Sequence, residues 1–375
     1  MKLFEESKAS HISPLDLHLR RYFEAHKKVS SGDRAWIADH AYEAMRWQGI
    51  LNHLNPAKPD WAHKLKTYFT NDRWRGLSTV ESVPPSSRCS IPPALYDKLA
   101  TTFGHHKATE IAFIYNEKPR TFLRVNTMVL SRDQAFKSLV SKSVPVEKSP
   151  TAPACLVVAE GGRVGELPEF KSGHFEIQDA ASQQAALAVE AEPGNIVLDF
   201  CSGSGGKSLA FGPAMENKGR IYLYDPKERL LTAAKLRLRK AKIQNFKIIS
   251  NKSELKKIKN KCDWVICDVP STGTGVYRTC PELKWLYSDS KLEDFLKLQR
   301  EIVSEAIEYL KPKGKLVYMT GSILPEENSE QVKYFCTHHD LWITKEPMHS
   351  LPQSKGANGW FAAVFEKKPK ASHLK

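Results

Sequence analysis

Three segments of this chain have residue types and spacing that suit a cofactor-binding site and catalysis on a bound substrate. Ile196–Lys207 is expected to be a strand that runs into a glycine-rich turn and a helix. Trp264–Gly275 and Leu316–Asn328 contain two further apolar strands, which end in Asp-Val-Pro-Ser and Met-Thr-Gly-Ser. Ligands of open α/β sheets lie at the carboxyl ends of the strands, where glycines allow close approach to the backbone. Asp225 ends the second strand of the series, where a carboxylate can bind ribose hydroxyls. The pattern therefore predicts a nucleoside-containing cofactor.

In order and spacing, these segments resemble the RsmB/Sun family of S-adenosylmethionine (SAM)-dependent RNA cytosine-C5 methyltransferases. The resemblance covers almost the whole chain and implies that SAM is the cofactor. It assigns SAM binding to Cys201, Ser202, Gly203, Ser204, Gly205, Gly206, Lys207, Asp225, Arg229, Asn251 and Asp268. The family usually has an aspartate facing adenine where this chain has Asn251, whose side chain can also accept a hydrogen bond. Taken alone, Asp225 would also fit a helix cap.

Two family positions that serve methyl transfer hold other residues in this chain. C5 of cytosine is a weak nucleophile, and the family activates it with a thiolate that adds to C6, while a second cysteine helps to release the product. The resemblance places the nucleophile position at Gly321 and the second position at Ser271, so no intact catalytic residue is assigned. Asp268 matches an aspartate that contacts the cytosine, and a loop cap is the alternative. Cys280 is the candidate for a relocated thiol, whereas Cys267 is expected to be buried in its strand.

Two functions of different kinds are compatible with these residues. In the first, the protein is a working RNA methyltransferase that modifies another atom or uses a displaced nucleophile. In the second, it is a SAM- and RNA-binding ribosome-assembly factor that has lost catalysis. The sequence favours a retained fold and retained ligand surfaces over retained cytosine-C5 chemistry. DNA is disfavoured as the substrate, because the corresponding DNA enzymes take their nucleophile from the position of Ser271.

The charge balance predicts a phosphate-rich partner. The chain has 56 Lys and Arg against 42 Asp and Glu, a net charge of +14, and each phosphate that is neutralised releases a condensed counterion. The excess is densest in Lys235–Lys261 and in the tail Lys367–Lys375, and a solubilising surface charge is the alternative explanation. The resemblance implies that the partner is ribosomal RNA. It assigns RNA contacts to Arg124, Asn126, Arg278 and Lys284. For the first two, capping or pairing within a sheet is the alternative.

Composition disfavours several other classes of protein. The contents of hydrophobic residues, 41%, and of charged residues, 26%, are typical of globular chains. No apolar run approaches the length of a membrane span, and the N-terminus lacks the apolar core of a signal peptide. The seven cysteines are scattered without a CxxC pair. This pattern argues against a zinc or other metal site and against a disulfide framework, and it predicts a reducing, cytoplasmic location.

Alternating strands and helices from about residue 174 predict a doubly wound α/β sheet, the Rossmann-like arrangement of a methyltransferase domain. Its strands are expected at Ile196–Phe200, Arg220–Tyr224, Phe246–Ser250, Trp264–Cys267 and Lys315–Met319. Nearer the N-terminus, Asp33–Trp47 has helical spacing of its apolar residues, and Pro119–Thr127 alternates like a half-buried strand.

With the resemblance, these patterns divide the chain into four parts. Residues 1–80 form a helical, trimmed NusB-like region, for which a generic helical domain is the alternative. Residues 81–172 form a small α+β domain that guides RNA, and residues 173–368 form the SAM-methyltransferase-like domain. Residues 369–375 form a basic tail.

Overall fold

The computed structural model describes residues 15–58, 60–159, 162 and 164–368, so the predicted basic tail lies outside the described residues. The chain divides into two compact units. The first combines the part up to Pro119 with Val276–Leu292 and Pro352–Ser354. The second contains Arg120–Gly275, Glu293–Leu351 and the part that begins at Lys355. None of the helices in the described part is long and apolar enough to cross a membrane.

The first unit is built from helices around an aromatic and aliphatic core. They are α1 Leu15–Ala25, α2 Ser31–Arg46, α3 Gln48–Leu54, α4 Trp61–Thr70, α5 Arg73–Gly76, α6 Pro85–Arg88, α7 Pro93–Phe103 and α8 His105–Ile114. Helix α2 covers the helix expected from sequence, and Ser30 caps it by accepting a hydrogen bond from the Asp33 amide. The fully buried side chains of Ile50, Leu51 and Trp74 lie in the core of this first unit.

The second unit contains a small antiparallel sheet with the strand order β2-β3-β1-β4. Its strands are β1 Thr121–Val125, β2 Val146–Lys148, β3 Cys155–Val158 and β4 Phe175–Ile177, and its helices are α9 Arg132–Ser141 and α10 Pro168–Lys171. The expectation that β1 is half-buried was wrong, because both of its faces are covered. Leu123 packs into a cluster with Leu139 and Phe175, while Phe122 on the opposite face packs with Ala180.

A larger sheet completes the second unit, with the order β10-β12-β9-β8-β5-β6-β7 and β11 paired to β12. Its strands are β5 Ile196–Asp199, β6 Arg220–Tyr224, β7 Phe246–Ile249, β8 Cys262–Asp268, β9 Leu310–Thr320, β10 Leu341–Ile343, β11 Met348–Ser350 and β12 Trp360–Lys367. The helices that follow or connect them are α11 Ala180–Ala186, α12 Gly206–Phe211, α13 Glu228–Lys240, α14 Lys252–Lys256, α15 Asp289–Ala306 and α16 Ser329–His338.

The strand order of the larger sheet places the candidate site at one edge. Strands β5 to β9 pair in parallel, and β12 returns antiparallel beside β9. The chain enters at β5, adds β6 and β7 on one side and then crosses back to add β8 and β9 on the other. The predicted doubly wound sheet is therefore confirmed. Ligands bind where such a strand order reverses, outside the carboxyl ends of the strands, and here that point lies between β5 and β8.

Candidate functional site

The glycine-rich loop after β5 requires glycine at two positions. Gly203 has a φ of 51° and Gly205 a φ of 80°, both in the left-handed region that favours glycine. A Cβ atom on Gly205 would also lie 3.2 Å from the Cβ atom of Ala234 on α13. The loop therefore turns sharply into α12 and packs closely on the neighbouring helix, as the sequence predicted for a ligand-binding turn.

Asp225 joins this loop to the end of β6. Its Oδ2 accepts a hydrogen bond from the Gly203 amide at 3.0 Å, and its Oδ1 accepts one from the Lys227 amide at 2.8 Å. Each carboxylate oxygen keeps further acceptor capacity, which ribose hydroxyls could use. Arg229, the second residue of α13, is exposed. The structure thus brings Asp225 to the glycine-rich loop and leaves Arg229 at the surface.

Asp199 and Ser202 lie at the same strand end and include two unpaired polar atoms. Asp199 is fully buried, and its Oδ2 accepts a hydrogen bond from Ser208 Oγ at 2.7 Å. Burial raises the pKa of Asp199 to about 7, with a contribution from the negative charge of Asp268. Within the described part of the chain, Asp199 Oδ1 and Ser202 Oγ have no hydrogen-bond partner. Sequence reasoning did not single out Asp199, although an acid inside an apolar strand is a signal that could have done so.

Asn251 follows β7 and caps the short helix α14. Its Oδ1 accepts hydrogen bonds from the Glu254 amide at 3.0 Å and from Ser253 Oγ at 2.6 Å, and the residue is exposed. The carbonyl oxygen that was expected to accept from adenine therefore already has two donors.

A partly buried ion pair connects α12 to the end of β8. Lys207 Nζ lies 2.8 Å from Asp268 Oδ2 and 3.1 Å from Ser182 Oγ, and it stands 3.8 Å from the centroid of the Trp360 ring. The Lys207 side chain is almost fully buried, whereas the Asp268 side chain is 25% exposed. Asp268 is thus held in an ion pair at the predicted edge. Ser182 and Trp360, which the sequence analysis did not assign, complete the surroundings of the lysine.

The two family cysteine positions lie in loops that follow neighbouring strands. Gly321 directly follows β9 and is buried, and its carbonyl oxygen accepts a hydrogen bond from the Gly275 amide at 2.8 Å. Ser271 lies three residues after the end of β8 and is half-buried. In the described part of the chain, no group accepts a hydrogen bond from Ser271 Oγ, so the structure provides no base for this alcohol.

A buried carboxylate fixes the loop that contains Ser271. Glu327 Oε1 accepts hydrogen bonds from the Thr272 amide at 2.9 Å and from Gln299 Nε2 at 3.0 Å, and its Oε2 accepts one from Thr272 Oγ1. Gln299 also donates to the carbonyl of Pro270 at 3.0 Å. Burial raises the pKa of Glu327. Glu327 lies in the segment Leu316–Asn328, but its sequence did not predict that it holds the serine loop.

None of the seven cysteines is an activated thiol. Burial raises the pKa of Cys280 to about 12, assisted by the charges of Glu282 and Asp16 in the same unit. The pKa values of Cys201 and Cys267 are raised well above the ordinary range by burial. The pKa values of the other cysteines are also raised by burial: Cys89, Cys155, Cys262 and Cys336. A nucleophilic cysteine needs a lowered pKa.

Two of the predicted RNA contacts are buried in the second unit. Arg124 Nη1 donates to the Gly206 carbonyl at 3.1 Å and to Gln178 Oε1. Asn126 Nδ2 donates to the carbonyls of Gly173 and Ala241 at 3.0 and 2.9 Å. Both side chains therefore hold backbone segments, which is the structural alternative that the sequence had left open.

The other two predicted RNA contacts are buried in the first unit. Lys284 Nζ donates to Asn116 Oδ1 at 2.7 Å and to the Arg46 carbonyl at 2.9 Å. Arg278 donates to the Gln353 carbonyl at 2.8 Å and pairs with Glu117 at 3.4 Å. In this structure neither side chain is at the surface, so the expectation of a direct phosphate contact is corrected to a structural role.

Arg237 on α13 links the small sheet to the glycine-rich loop. Its Nη1 donates to the carbonyl and the hydroxyl of Ser204 at 2.8 and 2.7 Å, and its Nη2 donates to Glu176 Oε2 on β4 at 2.9 Å. No local sequence signal identified this residue, because its partners lie 33 and 61 positions away. Among the described residues, no group of His, Cys, Asp and Glu could hold a metal ion.

Comparisons with known proteins agree with this geometry. Residues 186–366 match the family described as 16S rRNA methyltransferase RsmB/F, and residues 91–165 match the ferredoxin-like domain of the RsmF/B-like methyltransferases. The ribosomal RNA small subunit methyltransferase B of Klebsiella pneumoniae (strain 342) is 31% identical over 279 residues, covering 69% of this chain and 62% of that protein. The chain thus spans less than two thirds of the length of the curated relatives it matches.

Solved structures share the same fold. A methyltransferase homologue from Pyrococcus horikoshii is 25% identical, with a TM-score of 0.66, and the match covers 76% of this chain and 97% of that chain. A further crystal structure is 21% identical, with a TM-score of 0.80 and a match that covers 95% of each chain. The predicted combination of N-terminal helices, a small α+β domain and a Rossmann-like methyltransferase sheet is confirmed.

Proposed function

The chain belongs to the RsmB/F family of 16S rRNA methyltransferases, and from that premise we propose that it binds SAM and ribosomal RNA without performing cysteine-dependent cytosine-C5 methylation. The observation that carries the proposal is the pair of residues beside Asp268 at the strand ends. Gly321 has no side chain, and Ser271 is an alcohol without a neighbouring base. A protein with this pair can present a cofactor and a nucleotide while lacking the thiolate that activates C5.

The residues at the glycine-rich loop fit SAM. Gly203 and Gly205 give a ligand access to the backbone, and Asp225 retains acceptor capacity for ribose hydroxyls. The unpaired atoms Asp199 Oδ1 and Ser202 Oγ also favour a polar ligand, because buried polar groups in folded proteins are rarely left without a partner. When bound, SAM supplies an electrophilic methyl group. The chain's own residues bind and orient it, and the Lys207–Asp268 pair holds α12 against the end of β8.

A relocated nucleophile finds no support in the surroundings of the cysteines. Cys280, the candidate from sequence, has a pKa raised to about 12, so its thiolate is scarce near neutral pH. The hypothesis of a working enzyme with a displaced thiol is therefore disfavoured. The alternative, a SAM- and RNA-binding factor in ribosome assembly, agrees with the net charge of +14 and with the seven free cysteines of a cytoplasmic protein.

The proposal is tested with purified protein, labelled SAM and total RNA. We expect saturable binding of SAM in calorimetry, retention of RNA, and no 5-methylcytosine in nucleosides prepared from the RNA. Appearance of labelled 5-methylcytosine would restore the enzyme hypothesis. Absence of SAM binding by the folded protein would refute the cofactor assignment.

A further inference from the structure

The densest run of positive charge contributes to one free edge of the larger sheet. Between Lys235 and Lys261 the sequence has eleven Lys and Arg and a single acid, Glu254. Seven of these cations belong to α13, β7 and α14, and the other four lie in the loops that follow α13 and α14. Among the strands that the structure describes, β7 pairs with β6 alone, so it is the edge strand on this side. Part of this positive charge, on α13 and β7, therefore lies at the edge of the sheet.

A groove runs between α13 and β7 within this edge. It encloses ≈ 650 Å³, and its lining includes the apolar side chains of Phe246 and Ile248, the cations Lys235 and Arg239, and one acid, Glu228. Both cations are exposed, whereas the two apolar side chains are half-buried. One end of the groove is lined by Ser250, which immediately follows β7 at its carboxyl end. One end of the groove therefore lies at the carboxyl ends of the strands, where the candidate cofactor site also lies.

Lys235 and Arg239 line the groove, and Lys242 lies in the loop that joins α13 to β7. Two neighbouring lysines have carboxylate partners. Lys247 pairs with Glu254 at 2.8 Å, and Lys252 pairs with Glu305 at 2.8 Å. Within the described part of the chain, Lys235, Arg239 and Lys242 form no ion pair, and all three are exposed. Their positive charge is therefore available to an external anion.

Protection of a sheet edge explains only part of this arrangement. Lysines along an edge strand suffice to prevent pairing with another chain. They do not require a groove with an aromatic lining between a helix and the strand. An aromatic and apolar lining beside cations is the combination that binds single-stranded nucleic acid, since bases stack on the aromatic ring and phosphates meet the cations. A protein partner would need acidic groups at the spacing of these cations.

We propose that this edge groove, formed by α13 and β7 with Lys235, Arg239, Lys242 and Phe246, binds a single-stranded segment of RNA. The proposal rests on the proposed function and extends it. It names a surface that can bind RNA, since the four residues predicted from sequence to contact RNA are buried. The RNA backbone contacts the three cations, and a base lies on the ring of Phe246. The segment would leave or approach the candidate site along the carboxyl edge of the sheet.

The test compares two triple variants of the full chain that lower the net charge equally. The first is Lys235→Gln, Arg239→Gln and Lys242→Gln. The control is Lys137→Gln, Lys297→Gln and Lys333→Gln, which removes three exposed cations from α9, α15 and α16. Binding of a labelled oligouridylate of about 16 nucleotides is followed by fluorescence anisotropy over about 50 to 200 mM salt. Circular dichroism and melting curves establish that each variant is folded.

Of the two triple variants, only the first should bind the oligouridylate more weakly and with a different salt dependence. The slope of log K against log salt should become shallower by about 2, and the affinity near 0.1 M salt should fall on the order of 10²-fold, since each single-strand phosphate contact contributes about 0.7 to the slope. Phe246→Leu should weaken binding about fivefold or more with an unchanged slope, because it removes stacking without removing charge. Equal losses in both triple variants, with RNA still bound by the native protein, would overturn the groove and leave the proposed function intact. No binding of RNA by the native protein would overturn both.

Discussion

Arg237 and Ser204 are joined by two hydrogen bonds, in which one guanidinium nitrogen donates to the serine carbonyl at 2.8 Å and to its hydroxyl at 2.7 Å. The other guanidinium nitrogen donates to Glu176 at 2.9 Å. The small sheet and the glycine-rich loop are therefore held by one side chain. Because Arg124 also donates to the Gly206 carbonyl, two arginines hold backbone carbonyls of this loop and of the first residue of α12.

Replacement of Arg237 should weaken SAM binding without removing any direct ligand contact. Arg237→Gln removes the ion pair and the bonds to Ser204, and we expect a loss of about 1–2 kcal/mol in binding free energy, as for hydrogen bonds to charged groups. The control is Arg239→Gln, an exposed arginine two positions further along α13. Calorimetry that showed equal SAM affinities for both variants would contradict a positioning role for Arg237.

Removal of the Asp225 carboxylate should weaken SAM binding more directly. Asp225→Ala leaves the Gly203 amide without its acceptor and removes the groups proposed for the ribose. We expect a loss of about 1–3 kcal/mol, in the range for polar groups that lose their partners. Asp340→Ala, at an exposed position, is the matched control. Unchanged SAM affinity in Asp225→Ala would place the ribose elsewhere.

Asp199 should give the folded protein a distinct dependence of stability on pH. Its pKa is about 7 in the folded chain against 3.8 as the ordinary value, so between these values the folded state binds more protons than the unfolded state. The contribution of this group to the free energy of unfolding therefore falls as pH rises from about 4 to about 7, by up to ~4 kcal/mol at ~1.4 kcal/mol per pKa unit. Urea unfolding of native protein and Asp199→Asn at several pH values measures the difference. Parallel pH profiles would show that Asp199 ionises normally.

Restoring the family thiol should restore the first covalent step if the pocket is otherwise intact. The described backbone has a positive φ at Gly203 and Gly273 but not at Gly321, so a side chain at Gly321 meets no penalty from a left-handed backbone. We expect Gly321→Cys to form a covalent adduct with RNA that contains 5-fluorocytosine, because fluorine at C5 blocks the elimination that would release the enzyme. Gly321→Cys combined with Ser271→Cys should then give turnover. A folded, SAM-binding Gly321→Cys protein that forms no adduct would show that the pocket has lost more than the thiol.

Much of the fold could be predicted from sequence because it depends on local patterns. The strand expected at Arg220–Tyr224 is β6, and the glycine-rich turn, Asp225 and Asp268 do lie at carboxyl ends of parallel strands. Strand periodicity and the position of glycines carry this information within a few residues. The small sheet was less predictable, because burial of the second face of β1 depends on Phe122 meeting Ala180 in a later helix.

The roles of individual polar residues were less predictable, since they depend on partners that are distant in sequence. Lys284 looked like a surface cation, yet it is fully buried against Asn116, 168 positions away. Arg124 was expected at an RNA surface and instead donates to the carbonyl of Gly206. The family resemblance assigned these residues to RNA, and Lys and Arg are usually exposed, so nothing local in the sequence indicated that they are buried. Arg237 was missed for the same reason.

The most direct test of the central claim is to incubate native protein with SAM and RNA that contains 5-fluorocytosine, and to resolve the products by denaturing electrophoresis. We expect the protein to bind SAM but to give no covalent band, because neither Gly321 nor Ser271 supplies a thiolate and the pKa of every cysteine is raised. Gly321→Cys serves as the positive comparison in the same gel. A SAM-dependent covalent band with the native protein would contradict the account. Its loss in Cys280→Ser would then identify Cys280 as the nucleophile.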